Sequence, residues 1–283
     1  MNGAIHRDWL APQATTVEHI GTNVTITSPG GFLGGVRPSN IITHPSAPRY
    51  RSLAEAVATL RLAEREGVGV DRMVREMLAL GHPSPEIAEI DGPYVRVSLI
   101  GGPPKPHVLD LLASLDPAIA TRDVDVLLLL HRLMQHGWVD VERAAPVLQR
   151  PHSETQAAIT RLLNTTSAGA PVIVDVRGVR PEDPSAYRFS DEVRKRLAEN
   201  GGGRQDAAAR SAMLLDWARA RRRISSTEVA DLSDVSTPYA GTLLINMEAN
   251  GAIKPGRENR MGRGFFYVPV RDGETTDTTS PSS

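Results

Sequence analysis

The sequence predicts an α+β fold, on three observations. The amino-terminal stretch alternates apolar and polar residues in short runs around one long helical pattern. Two later stretches repeat a single order of elements, three helices and then a hairpin. Glycine and proline runs that no helix or strand interior accepts separate the stretches. A chain of 283 residues has room for about two domains, three if they are small. With 40% hydrophobic and 23% charged residues, it has the composition of a folded chain.

Taken in order, Thr15 to Ile20 and Val24 to Thr27 flank Gly21-Thr22-Asn23 and read as a hairpin, closed by the glycine-rich run from Ser28 to Gly35. Ser52 to Glu66 carries Leu53, Val57, Leu60 and Ala63 at helical spacing. Gly67-Val68-Gly69 interrupts the pattern, and Val70, Met73, Val74, Met77 and Leu78 resume it. Tyr94 to Ile100 alternates as a strand, and Gly101 to Pro106 breaks the chain. The expected divisions are residues 1–101, 107–200 and 204–270, with a polar tail over 271–283 expected to be disordered.

The second and third divisions each hold a long helix, Arg122 to His136 or Asp206 to Arg221, and then a short one, Val141 to Gln149 or Thr227 to Leu232. A capped helix follows. Ser153 and Gln156 have the spacing of a capping box, while Ser236 or Thr237 caps the other, with Pro238 leading and Gly251 ending it. Hairpins close both units, Val172 to Arg177 with Ala186 to Phe189, and Ala252 to Lys254 with Phe265 to Val268. This order of elements is that of a winged helix-turn-helix, and two copies are expected.

Net charge is −1, so the whole chain has no broad basic field. Residues 188–268 nevertheless hold 14 basic against 10 acidic residues. On the last capped helix Ala240, Leu243, Leu244 and Met247 form an inward face. Thr242 and Ile245 lie opposite, flanked by Thr237, Tyr239 and Asn246, where polar side chains can reach base edges. Lys254, Arg257, Arg260 and Arg263 sit among glycines in the following wing, and Arg221, Arg222 and Arg223 precede the short helix; both groups suit phosphates. Thr160, Arg161 and Asn164, with Arg177 and Arg180 in the first wing, form a second candidate surface for DNA or for a dimer.

Three amino-terminal motifs add a resemblance. Asn2 to Trp9, Ser28-Pro29-Gly30-Gly31 and Glu66 to Met73 resemble the ordered motifs of the RecG-like helicase C-terminal module, a branch of the GHKL ATPase fold found in AlbA/Schlafen-associated regulators. The resemblance implies a partial GHKL-like α/β sandwich ahead of the two winged helices. It places Asn2 at a nucleotide-bound Mg²⁺, Gly30 and Gly31 beside the adenine, and Gly67 and Gly69 at the phosphates. The family's glutamate would stand four residues before Asn2, and only Met1 precedes it. The chain therefore resembles the carboxy-terminal part of a longer regulator, with no required cofactor, residual ATP/Mg²⁺ binding at most, and no hydrolysis.

Other chemistry finds no carrier. The absence of cysteine removes disulfides, thiolate nucleophiles and Cys-type zinc sites. No HExxH, Gly-x-Ser-x-Gly or P-loop occurs, and the longest apolar run, Val124 to Leu130, contains Asp125. The expectation is a cytoplasmic, homodimeric bacterial transcription regulator that reads double-stranded DNA through its last winged helix, without membrane contact. A nucleotide-dependent ATPase or helicase-associated factor is one alternative, and a winged-helix protein-interaction scaffold is the other.

Overall fold

The computed structural model describes residues 2–62, 69–202, 206–259 and 264–270. The chain mixes helix and sheet. It forms two compact units, one from Met1–Gln135, Val141–Val172 and Glu192–Gly202, the other from His136–Asp140, Ile173–Asp191 and Gly203–Ser283. This division departs from the three expected ones. Residues 1–101 share a unit with most of 107–172, while two segments of 107–200 belong to the carboxy-terminal unit.

The first unit opens with α1 (Asn2–Ile5) and an antiparallel sheet of order β1-β2-β4-β3, built from β1 (Thr16–Ile20), β2 (Asn23–Pro29), β3 (Glu86–Ile90) and β4 (Tyr94–Ile100). Alternation sorts its faces. Val24, Ile26 and Ser28 of β2 stand opposite Leu99, Val97 and Val95 of β4, which makes one apolar face. Thr25 and Thr27 pair with Ser98 and Arg96 on the polar face. The helix expected over 52–66 is α2 (Arg51–Thr59), which stops short because Leu60 and the left-handed Arg61 end it. The helical pattern resumes as α3 (Gly69–Ala79), with Val74 and Leu78 buried.

Behind the sheet segment come α4 (Pro106–Ala113), α5 (Val124–His136), α6 (Val141–Leu148) and α7 (His152–Leu163). Val126 to Leu130 of α5 are all buried, so this helix is surrounded on every side. Three two-residue strands, β5 (Leu115–Asp116), β6 (Thr166–Ser167) and β7 (Ala170–Pro171), form a small sheet. The capping box expected at Ser153 does not form. Pro151 is the N-cap, with ψ 157°, and Ser153 falls inside the first turn. With Pro151 as N-cap the helix begins two positions before the serine could cap it.

The second unit contains the hairpin β8 (Ile173–Asp175) and β9 (Tyr187–Phe189), which α8 (Asp191–Glu199) follows in the chain. It also contains α9 (Ala207–Arg221), α10 (Ser226–Ser233), α11 (Thr237–Ala249) and the hairpin β10 (Ile253–Pro255) with β11 (Tyr267–Pro269). Asp206 caps α9, and Ser236 caps α11. A capping box does occur, at α10, where Ser225 and Glu228 satisfy each other's backbone donors. Ile224 adds a bridge to Tyr267 of β11. Trp138, Leu214, Trp217, Ile224, Val229, Ala240, Leu244 and Ile253 fill one apolar core, and Val176 and Ala186 beside the β8–β9 hairpin belong to it.

That hairpin is fastened by charge. Arg188 and Asp231 are almost wholly buried, and the Arg188 Nε and Nη2 donate to Asp231 Oδ2 and Oδ1, both at 2.6 Å. Arg177 adds its backbone N–H at 2.9 Å and its Nε at 2.6 Å, so the carboxylate accepts from both arginines. Burial pushes the Asp231 carboxyl upward, but the hydrogen bonds from Arg188 and Arg177 outweigh it and hold it below its ordinary value.

Breaking this pair from one side should be costly. Arg188→Met leaves Asp231 buried with a lost partner and should remove about 3–5 kcal/mol, while Arg188→Met with Asp231→Leu should recover most of it. Because the folded carboxyl is depressed, the contribution is complete above its unfolded value of about 3.9 and disappears as pH falls through the folded value. Wild type and Arg188→Met should therefore converge in acid. Urea unfolding read by tryptophan fluorescence tests both statements; a loss under about 1 kcal/mol near neutral pH would refute them.

Candidate nucleic-acid interface

In the carboxy-terminal unit, α11 packs Ala240, Leu244 and Met247 inward. Thr237, Tyr239, Thr242, Ile245 and Asn246 are exposed along its outer side, as the spacing predicts. The following strand carries exposed Lys254, and the loop after it carries exposed Arg257. Gly256 is needed where it stands. A Cβ there would come within 2.2 Å of the Phe266 ring, and its N–H donates to Phe266 O at 2.9 Å. Arg223 lies over the Phe266 ring at 4.9 Å and Arg257 near the Phe265 ring at 5.9 Å. Arg260 and Arg263 lie outside the described residues.

The three consecutive arginines after α9 separate into different roles. Arg222 is exposed with φ 56°, the left-handed residue that stops the helix. Arg223 is half-buried over Phe266. Arg221 is buried, and here the expected phosphate contact does not hold. Its Nη2 donates to the buried Asp140 at 3.0 Å and its Nη1 to Pro184 O. Its guanidinium lies 5.7 Å from the Trp138 ring and 5.2 Å from the Trp217 ring, which meet edge to face at 4.7 Å. A basic triplet has the same composition whether a residue faces water or an internal carboxylate; only the partner Asp140, 81 positions away, decides.

The second candidate surface is weaker than the sequence reading expected. Thr160 and Asn164 are exposed, and the Thr160 hydroxyl donates to Gln156 O. Arg161 is engaged by two carboxylates, Asp123 and Asp125, each at 2.8 Å. Arg150 binds the same Asp125 at 2.9 Å. In the β8–β9 loop Arg180 is paired with Asp183 and Glu182, and Arg177 with Asp231. These cations are neutralised within the chain, so little basic field remains there.

In the amino-terminal unit, Gly30 has φ +101°, and a Cβ on it would approach Arg49 Nη2 to 2.8 Å and Asp8 Cβ to 2.9 Å. A Cβ on Gly31 would approach Glu89 Oε1 to 2.6 Å. Arg49 Nη2 donates to Gly31 O at 2.9 Å, and Glu89 Oε2 accepts from Phe32 N at 3.1 Å. Side chains of the chain itself thus already take Gly31 O and Phe32 N, and Gly30 N donates to Pro93 O. Gly69 begins α3, whose first turn carries Asp71. Burial raises the Asp71 carboxyl, opposed by Arg150 and reinforced by Asp125. Gly67 and the Asn2 side chain lie outside the described residues.

Comparison with known proteins divides the chain at the same glycine–proline break. Residues 15–99 match the family described as "Putative ATP-dependent DNA helicase recG C-terminal". Residues 106–188 match a family of unknown function, DUF5635. Residues 15–99 are thus similar to that family, and the motif at residues 2–9 precedes the matched stretch. No curated protein matches the chain. Among solved structures, the crystal structure of the DIP2311 protein from Corynebacterium diphtheriae is similar, with 27% identity and a TM-score of 0.82 over 95% of this chain and 48% of that one. The chain spans about half the length of that protein. Among the described residues no helix is long and apolar enough to cross a membrane.

The divergent roles of neighbouring arginines can be measured. Arg221→Ala should cost about 3–5 kcal/mol of unfolding free energy, since it leaves Asp140 buried without this partner. Arg222→Gly should be neutral or gain up to about 1 kcal/mol, because glycine adopts the left-handed conformation without strain. Chemical denaturation of the two variants distinguishes them; equal effects would show that Arg221 is a surface residue.

Proposed function

We propose that the chain is a DNA-binding transcription regulator, in which α9 to β11 form a winged helix that holds duplex DNA and the amino-terminal module has lost hydrolysis. The observation that carries this reading is the pairing of α11's exposed polar side with the exposed cations of the next hairpin, Lys254 and Arg257. A helix followed by a cationic, glycine-containing hairpin is the arrangement that sets a helix in the major groove and a loop on the backbone. The order α5, α6, α7 and β8–β9 repeats it, and the neutralised arginines of that copy favour a structural role. A single helix contacts only a few base pairs, so the reading includes a homodimer on two half-sites.

The family match to residues 15–99 supports a nucleotide-related origin for the first module. The occupied turn at Gly30 and Gly31 favours residual nucleotide binding at most. Purified chain with ATP and Mg²⁺ should release no phosphate above the blank. Turnover abolished by a substitution in this module would return the ATPase reading.

Binding to random duplex DNA, followed by fluorescence anisotropy, should weaken steeply with salt. Lys254→Ala with Arg257→Ala should lower affinity for all duplexes alike and reduce the salt slope by about one to two, as should Arg260→Ala with Arg263→Ala. Thermal unfolding of the first pair, whose side chains are exposed, checks that the loss is one of binding and not of folding. Absence of binding at low salt would sink this reading and favour a protein-interaction scaffold, for which exposed Tyr239 and Ile245 would be the contact residues.

A further inference from the structure

The composition of α11's outer side narrows what it could recognise. From Thr237 to Ala249 the helix has no lysine, arginine, histidine or glutamine, and its one charged residue is the half-buried Glu248. Guanine is read in the major groove chiefly by arginine or lysine, which donate to its O6 and N7. This helix has neither. Its exposed side instead carries Thr242, Ile245 and Ala249, at i, i+3 and i+7 along one line, with Asn246 beside them four residues after Thr242.

These residue types correspond to one kind of base pair. The C5-methyl group of thymine is an apolar point in the groove, and asparagine pairs with the N6 and N7 of adenine. Ile245 is 58% exposed, a large apolar side chain facing outward in mid-helix. The Thr242 hydroxyl leans back toward Pro238 O at 3.5 Å, which leaves its methyl group as the outward surface. The guanidiniums nearest this helix in the chain are held over aromatic rings in the case of Arg223 and Arg257. They suit backbone contact better than base edges.

We infer that α11 selects A·T base pairs in the major groove, contacting thymine methyl groups through Thr242 and Ile245 and adenine through Asn246. The inference rests on the DNA-binding reading above and adds the base class to it. Supply of affinity by the hairpin and of sequence preference by the helix follows from where the cations and the methyl groups lie.

The test uses the full chain and four short duplexes of equal length, alternating A·T, A·U, G·C and inosine·C, in competition anisotropy at one salt concentration. Uracil lacks only the thymine methyl group. Inosine·C presents a G·C-like major groove with an A·T-like minor groove, so it separates reading in the two grooves. The A·T duplex should bind best, with A·U weaker by about fourfold for each methyl group contacted. Inosine·C should behave like G·C. Ile245→Ala, a substitution at an exposed position, should narrow the difference between A·T and A·U. Asn246→Ala should narrow the gap between A·T and inosine·C. Equal binding of A·T and A·U, or inosine·C binding as tightly as A·T, would overturn the inference with the DNA-binding reading intact. Salt-insensitive or absent binding to all four duplexes would overturn both.

Discussion

The buried pair of Arg188 and Asp231 fastens the β8–β9 hairpin to α10. Arg188 lies in a short strand between buried Tyr187 and Phe189, and its guanidinium reaches a carboxylate on α10, 43 residues later. Desolvating two charges costs several kcal/mol each, and only a bidentate geometry with the remaining lone pairs satisfied offsets it. Here the remaining acceptor sites on Asp231 take both donors of Arg177. Arg221 and Asp140 repeat the logic in the same unit, capped by two tryptophans. A core held by charge pairs is selective about partners. An apolar substitute could bind the hairpin as tightly, but it would not demand this register.

The consequence is a mismatch between sequence families and compact bodies. The second matched family runs from residue 106 to 188, through α4 to α7 and into β9, as though helices and hairpin were one inherited piece. The packing divides that piece and gives the hairpin to the unit that contains α9 to α11. A hairpin that holds Val176 and Ala186 in a shared core, with its arginines bound to carboxylates, has little left with which to meet a phosphate. The two sets are similar in order, three helices and a later hairpin, but β6 and β7 intervene in the first, and its hairpin belongs to the other compact unit.

Much of this was readable without coordinates, and the misses have a common cause. Periodicity located α3, α5, α9, α11 and the strands β1, β2 and β4, because each follows from local spacing. The strand β3 and the helices α4 and α8 escaped. β3 is only five residues long with glutamates at two positions, and α8 is strongly charged with Val193 as its one buried residue. The true capping box at Ser225 and the false one at Ser153 show the same limit. Both have the right residues at the right separation, and a proline two positions earlier settles the second against it. Arg221 illustrates the harder case: no local rule distinguishes an arginine bound to a distant aspartate from one that faces water. The outward side of α11 was legible because exposure there is the complement of a clear inward stripe.

At the amino-terminal module the same reasoning explains how packing alone can account for a glycine motif. The apolar face of the sheet needs Val24, Ile26, Val95, Val97 and Leu99 to stay apolar, and they are. Gly30 has left-handed backbone and close neighbours, so it is retained for packing whether or not a nucleotide ever visits. The glycine signature therefore reports geometry first. Activity would require groups beyond it, and around the turn Arg49 and Glu89 instead bond Gly31 O and Phe32 N, with Asp8 beside Arg49. A glycine motif is evidence for function only when the space beside the backbone is left open, and in this chain that space is taken.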